Sequence, residues 1–387
     1  MSILMFEPFF SSSYGHFNRY VRVIVAEAAR HGEMVKVAAH SGFDPALREM
    51  LAKSGVEVLE AFAPRPYYLV PDSAQQIDTA RDLAHAALHC LSKHPADRIT
   101  WLSGTPSQLL AAGMFAAQAK RTFPFQMIDF ANDWGPGPLA APELVRNAIP
   151  AAIANGVRLY AQMDYLANIA AVEFGHPFES FPPILEFKPL SGGRQHAKPR
   201  VGLMNIVHQF KDVSSTLDAL AVHAADIQVV LHTGASDNGN HARGLLQALT
   251  AKAMALGKGP PRGKIFPGAM SPEKYNEVWS SLDAVLLPYS VKKYSRHGSG
   301  ILLESLSDGI IPIVPRGTFM SSIAESSDVG IVYDSEDPDG ISRALDHLVR
   351  NFDALSERSL AFAADWRRAY GPAHLYQVLS DAWTPGE

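Results

Sequence analysis

One cysteine, Cys90, occurs in the 387 residues. A lone thiol forms neither an internal disulfide nor a thiolate metal site, so nothing demands an oxidising compartment. Long apolar runs are missing as well: nowhere does the sequence hold the roughly 18 uninterrupted apolar residues that cross a bilayer. The first residues lead straight into a strand-like segment, Ile3 to Phe6, without the basic stretch, apolar run and small-residue cleavage site of an export signal. The expectation is a cytoplasmic protein, with peripheral contact at the inner face of a membrane left open. Charge of one sign is also scarce. The formal net charge is −5, and Lys292, Lys293 and Arg296 form only a local basic cluster, whereas a nucleic-acid binder normally carries a basic excess or stripe. No nucleic-acid partner is expected. No metal site is expected from the 15 histidines.

What is present is apolar material in quantity, 47% of residues against 19% charged. That balance fits an α/β protein with a large interior, and a chain of this length exceeds what one core usually serves. Short β-branched runs alternate with longer helical patterns, which is how βαβ units on parallel sheets read. In the first half the expected strands are Ile3–Phe6, Met34–Ala39, Val56–Leu59, Ile99–Leu102, Phe125–Asp129 and Val157–Ala161, with helical patterns such as Phe17–Arg30 and Pro106–Lys120 between them. Around 187–199 the pattern gives way to a polar, basic, Gly- and Pro-containing stretch of linker composition. The alternation restarts with Val201–Met204, Ile227–His232, Lys264–Phe266, Ala284–Leu287, Ile311–Val314 and Gly330–Tyr333. The expected organisation is an N-terminal domain 1–186, a linker 187–199, a C-terminal domain 200–370 and a last segment 371–387. Both domains should be doubly wound.

The richest stretch runs from Ser271 to Ala324. An apolar strand, Ala284–Leu287, stops at Pro288, and a loop then delivers Gly298, Ser299 and Gly300 just before a helix that Gly309 is placed to end. Small residues at a helix start let an anion approach free backbone N–H groups and the positive end of the helix dipole. Ser299 adds a hydroxyl; Arg296 and Tyr294 add a charged and a neutral hydrogen bond. Glu304 falls about one turn into the helix. A carboxylate there can accept from two vicinal hydroxyls, such as those of a ribose. By itself Gly-Ser-Gly is better explained by a plain helix start, but a glutamate among Leu302, Leu303 and Leu306 requires a partner because burying an unpaired carboxylate is costly.

The succession Leu-Leu-Pro-Tyr (286–289), Tyr-x-x-x-Gly-Ser-Gly-Ile-x-x-Glu-Ser-Leu-x-x-Gly-Ile-x-Pro-Ile-Val (294–314) resembles the donor site of bacterial GT-B glycosyltransferases of the family 4, or group 1, type. The likeness extends upstream to Pro267-Gly268 and Ser271–Tyr275, which in that family lie near the base. It implies a fold of two Rossmann-like doubly wound domains facing across a cleft, with the acceptor in the first and the donor in the second. The last helix, Pro372–Ala382, would cross back to the N-terminal lobe. It implies further that Gly298, Ser299 and Gly300 contact a diphosphate and Glu304 a ribose, with Gly268, Tyr289 and Tyr294 as further donor contacts. The expected activity is transfer of a hexose from a nucleotide-diphosphate sugar to a sugar, lipid-linked or small-molecule acceptor, retaining and metal-independent, with no cofactor beyond the substrate. One departure stands out. Where the family often places a second glutamate, eight positions before Glu304, this chain has Arg296. A cation there could offset charge on the departing diphosphate.

Other candidates carry two readings each. Gly15 and His16, in the turn after the first strand, are read as donor and catalytic contacts, with a helix-capping turn as the alternative. Asp129, Asn132 and Asp133 follow the fifth strand, and Asp133 is the candidate base for the acceptor hydroxyl, against a turn-forming role. Ser103, Gly104 and Thr105, after the fourth strand, read as a helix entry or a ligand contact. Lys211 stands where the family presents a lysine to the diphosphate, against a solvated surface lysine; the family's accompanying arginine has no evident counterpart. Two rivals share the scaffold: a nucleotide-sugar epimerase, and an inactive binding subunit favoured by the missing glutamate.

Overall fold

The computed structural model describes all residues except 9, 11–15, 64–72, 128–141, 186, 188–195, 206–210, 235–239, 260–261, 296 and 385–387. Among the described residues the chain forms two parallel sheets. The first comprises β1 (Ser2–Phe6), β2 (Met34–His40), β3 (Glu57–Phe62), β4 (Arg98–Gly104), β5 (Phe123–Met127), β6 (Val157–Gln162) and β7 (Glu179–Phe181), in the order β3-β2-β1-β4-β5-β6-β7. The second comprises β8 (Arg200–Leu203), β9 (Gln228–His232), β10 (Gly263–Phe266), β11 (Ala284–Leu286), β12 (Ile311–Pro315) and β13 (Ile331–Tyr333), in the order β10-β9-β8-β11-β12-β13. Every strand expected from the sequence is there. β5 begins two residues earlier than the β-branched pattern suggested, and β7 was not expected, because Glu-Ser-Phe carries no apolar run.

Both orders run outward from the first strand and then reverse, which is the doubly wound topology. Such sheets bury both faces, and the strands accordingly read as near-continuous apolar runs: all five residues of β12 and of β5 are buried. Helix boundaries follow local chemistry. Pro106 opens Pro106–Ala119 and Lys120 closes it in the left-handed region (φ 51°); Gly309 (φ 71°) ends Gly300–Asp308.

The chain divides into two compact units, one holding 1–186, 296–298 and 370–387, the other 187–295 and 299–369. In the first, Ile3, Met5, Val35 and Val37 form a core with the helices His16–Arg30 and Pro372–Trp383. The last helix is fastened by polar contacts as well: the Trp383 indole N–H donates to the Ile99 carbonyl at 2.7 Å, and Arg98 lies over the Trp383 ring while pairing with Glu33 at 2.7 Å. In the second unit, Val201, Leu203, Val229, Leu231, Ala284 and Ile311 pack under Leu217, Leu220 and Leu345.

Candidate functional site

In an open α/β sheet, ligands bind outside the carboxyl ends of the strands where the order reverses. In the second unit that point lies between β8 and β11. The loops leaving these strands meet there, joined by an antiparallel bridge between Lys211 and Tyr289. Asn205, just past β8, holds a left-handed backbone (φ 53°), uncommon outside glycine. Lys211 is drawn inward rather than solvated. Its Nζ donates to the carbonyls of Met204 at 2.5 Å and Asn205 at 2.8 Å, and lies 4.7 Å from the centre of the Tyr289 ring. Burial pulls its pKa from the usual lysine range down to about 7. A cavity of about 540 Å³ opens beside it, walled by Asp212, Tyr289, Val291, Tyr333 and Ile341.

Tyr289 stacks on Tyr294 with centroids 4.1 Å apart, and its hydroxyl has side-chain hydrogen bonds with Ser299 and Tyr294. Burial raises the pKa of both tyrosines, Tyr294 to about 12, so both are neutral hydrogen-bonding groups near neutral pH. Ser299 caps the Gly300–Asp308 helix, its oxygen accepting from the Leu302 N–H at 3.3 Å. Beside Gly300 the space is open, since an added Cβ would meet nothing within 4 Å. Gly298 groups with the first unit.

Glu304 is buried, 6% exposed, and the Tyr275 hydroxyl donates to its Oε2 at 2.9 Å. Tyr275 lies one turn into the Pro272–Ser280 helix and stacks on Trp279, with planes 11° apart. The Trp279 indole donates to Asp308 Oδ2 at 2.8 Å, and Asp308 Oδ1 pairs with Arg367 at 2.6 Å. Arg367 also donates to the Ser307 carbonyl and lies over Phe187. Three helices, Pro272–Ser280, Gly300–Asp308 and Phe352–Ala369, are thus locked by a ladder running Glu304, Tyr275, Trp279, Asp308, Arg367. The sequence reading named Glu304 and Tyr275 without pairing them and missed the rest. The available signal was a pair of matched i, i+4 spacings, Tyr275 with Trp279 and Glu304 with Asp308.

At the neighbouring edge, Gly234 and Gly268 bridge the loops after β9 and β10. Gly268 (φ 69°) accepts at its carbonyl from the His232 ring at 2.9 Å and donates its N–H to the Thr233 hydroxyl at 3.2 Å. Gly234 (φ 93°) cannot carry a side chain, because its Cβ would fall 1.8 Å from the Asn205 amide oxygen. The structure therefore gathers Lys211, Gly268, Tyr289, Tyr294, Ser299, Gly300 and Glu304 in segments leaving the strand ends of one unit, apart from the helix position of Glu304. Gly15, Asp133 and Arg296 lie outside the described residues, as do Asp129 and Asn132; His16 opens the His16–Arg30 helix, and its side chain lies outside the description. Among the described residues no cluster of three or more histidine, cysteine or acidic side chains could hold a metal ion, and no helix is long and apolar enough to cross a membrane.

Two Rossmann-like units, each with a reversed parallel sheet, constitute the GT-B fold. No family model matches the chain, and no curated protein matches it. Among solved structures it is similar to a glycosyltransferase from Rickettsia africae ESF-5, with a TM-score of 0.70 and 10% identity over 100% of this chain and 99% of that one. It is also similar to the sucrose-phosphate synthase of Thermosynechococcus elongatus (TM-score 0.66, 12% identity, 98% of each chain). A third similar structure is HepE of Anabaena in complex with UDP and glucose (TM-score 0.62, 13% identity, 98% of each chain). At these identities the likeness is one of fold.

Proposed function

We propose that the protein is a glycosyltransferase that takes a hexose from a nucleoside-diphosphate donor held by the second unit. The observation that carries this reading is Glu304: a buried carboxylate one turn into the helix that follows the β11 loop, braced by Tyr275, at the reversal point of a fold shared with a protein seen with UDP and glucose. A carboxylate at this place suits a ribose diol. The diphosphate lies at the start of the Gly300–Asp308 helix with Lys211 nearby, and Arg296 adds charge to the same leaving group. The bond from the anomeric carbon to the diphosphate oxygen breaks, the acceptor oxygen bonds to that carbon, and Asp133 takes the acceptor proton. Stereochemistry is retained, no metal takes part, and the acceptor is a saccharide, lipid-linked or small hydroxylated molecule. A thermal-shift screen of nucleoside diphosphates and their sugars, each with EDTA or with magnesium, tests the reading. One nucleotide should raise the melting temperature in both conditions. No shift with any of them, or a shift only with magnesium, counts against the donor site or its metal independence respectively.

Lys211 makes a separate expectation about protons. At pH 8 its pKa of about 7 leaves the amine mostly neutral in the free protein. A bound diphosphate favours the ammonium and raises that pKa, so binding should take up about one proton at pH 8 and far less at pH 6, where the amine is already charged. Calorimetry in buffers of different ionisation enthalpy measures this directly. Equal uptake at both pH values, or none in either, would remove Lys211 from the diphosphate contact.

A further inference from the structure

His232 ends β9 with 8% of its surface exposed. Its Nε2 lies 2.9 Å from the Gly268 carbonyl. A carbonyl only accepts, so Nε2 carries the proton, and in the neutral ring Nδ1 is then a bare lone pair. That nitrogen is buried and has no hydrogen-bond partner among the described residues. Burial, and secondarily the charge of Lys211, hold the imidazole below its ordinary pKa despite the Gly268 contact, which keeps the ring neutral. A buried acceptor left unmade is costly, and at a strand end beside a ligand site it calls for a donor from outside the protein.

The position identifies the donor. One short segment connects the two sites: its Gly268 carbonyl holds His232, and its Tyr275 hydroxyl holds Glu304. On the proposed donor site, a ribose held by Glu304 would carry its base one glycosidic bond away, toward this segment. Resting on the donor site of the preceding subsection, we propose that His232 Nδ1 accepts a hydrogen bond from the ring N–H of the nucleoside base, so that the site selects uracil or guanine diphosphates. Uracil N3 and guanine N1 carry a hydrogen; the corresponding ring nitrogens of cytosine and adenine are bare lone pairs and would oppose the one on His232.

The test measures dissociation constants for UDP and GDP and for their ring-methylated forms, N3-methyl-UDP and N1-methyl-GDP, by calorimetry. The preferred nucleotide should lose about tenfold or more on ring methylation in the unaltered chain, the loss expected when a buried hydrogen bond goes unmade. Two variants separate recognition from architecture. His232→Gln can keep an amide donor toward the Gly268 carbonyl but has no acceptor at the Nδ1 position; His232→Asn puts an oxygen near Nδ1 and gives up the Gly268 contact. The glutamine variant should bind the preferred nucleotide about tenfold more weakly and discriminate against its methylated form by less than about threefold, while the asparagine variant keeps most of the discrimination. The reverse pattern, or a glutamine variant indistinguishable from the unaltered chain, overturns the assignment while leaving the donor site intact. If 2′-deoxy-UDP rather than N3-methyl-UDP loses its penalty in the glutamine variant, the nitrogen serves the ribose and the base assignment is wrong. A chain that binds no nucleotide at all overturns the proposed function and this assignment together.

Discussion

Glu304→Ala is expected to weaken binding of the preferred nucleoside diphosphate by about 1–3 kcal/mol, roughly 5- to 150-fold, the range for leaving buried hydrogen-bonding groups unpaired. The loss has two sources. A ribose diol loses its acceptor, and the Tyr275 hydroxyl, now held at 2.9 Å from Oε2, loses its own. Tyr275→Phe separates them, since it removes the hydroxyl and leaves the carboxylate in place for the ligand. Its effect on affinity should be the smaller of the two. Calorimetry on both variants decides the matter. An unchanged affinity in a folded Glu304→Ala protein would leave the carboxylate a purely structural partner of Tyr275 and remove the ribose assignment.

The second large effect concerns stability. Asp308→Ala should cost about 3–5 kcal/mol of unfolding free energy, because it leaves a largely buried Arg367 guanidinium and the buried Trp279 indole N–H without their shared acceptor. Breaking one side of a buried pair is far worse than replacing both. Asp308→Leu combined with Arg367→Met should therefore recover much of the loss. Urea titration followed by tryptophan fluorescence reports it, since Trp279 is itself part of the ladder. A cost below about 1 kcal/mol would mean the pair behaves as a solvated surface bridge. Because Tyr275 stacks on Trp279, the Asp308 variant should also bind nucleotide more weakly although it touches no ligand.

The alternation of strands and helices was legible because parallel strands buried on both faces must be apolar throughout, and that leaves runs such as Val201–Met204 and Ile311–Val314 visible without any partner. β7 was not, since a three-residue edge strand is defined by its neighbour and not by its composition. In the site, the small residues before the Gly300–Asp308 helix and the misplaced glutamate were visible because both break local expectation. Their supports were not. The bonds from Tyr275 to Glu304 and from Trp279 to Asp308 each join residues 29 apart on separate helices, and no local pattern announces which helix faces which. Lys211 could be found by position, yet its inward turn depends on the two carbonyls past β8. His232 passed unnoticed among 15 histidines, since its interest lies in one unpartnered nitrogen, a property of the folded chain.

The fastening of the Pro372–Trp383 helix has a consequence for how the chain matures. Leu375, Leu379 and Trp383 complete a core whose other members, Ile3, Met5 and Val35, are made first. During synthesis the N-terminal unit therefore waits, with an apolar surface open, until the chain through Trp383 has emerged, while the second unit has nearly all of its residues in one stretch and can close earlier. Domains generally fold from the N-terminus forward as they are made. Of these two units, the one that begins first is completed second, and a stalled chain ending before residue 372 would be the species that aggregates.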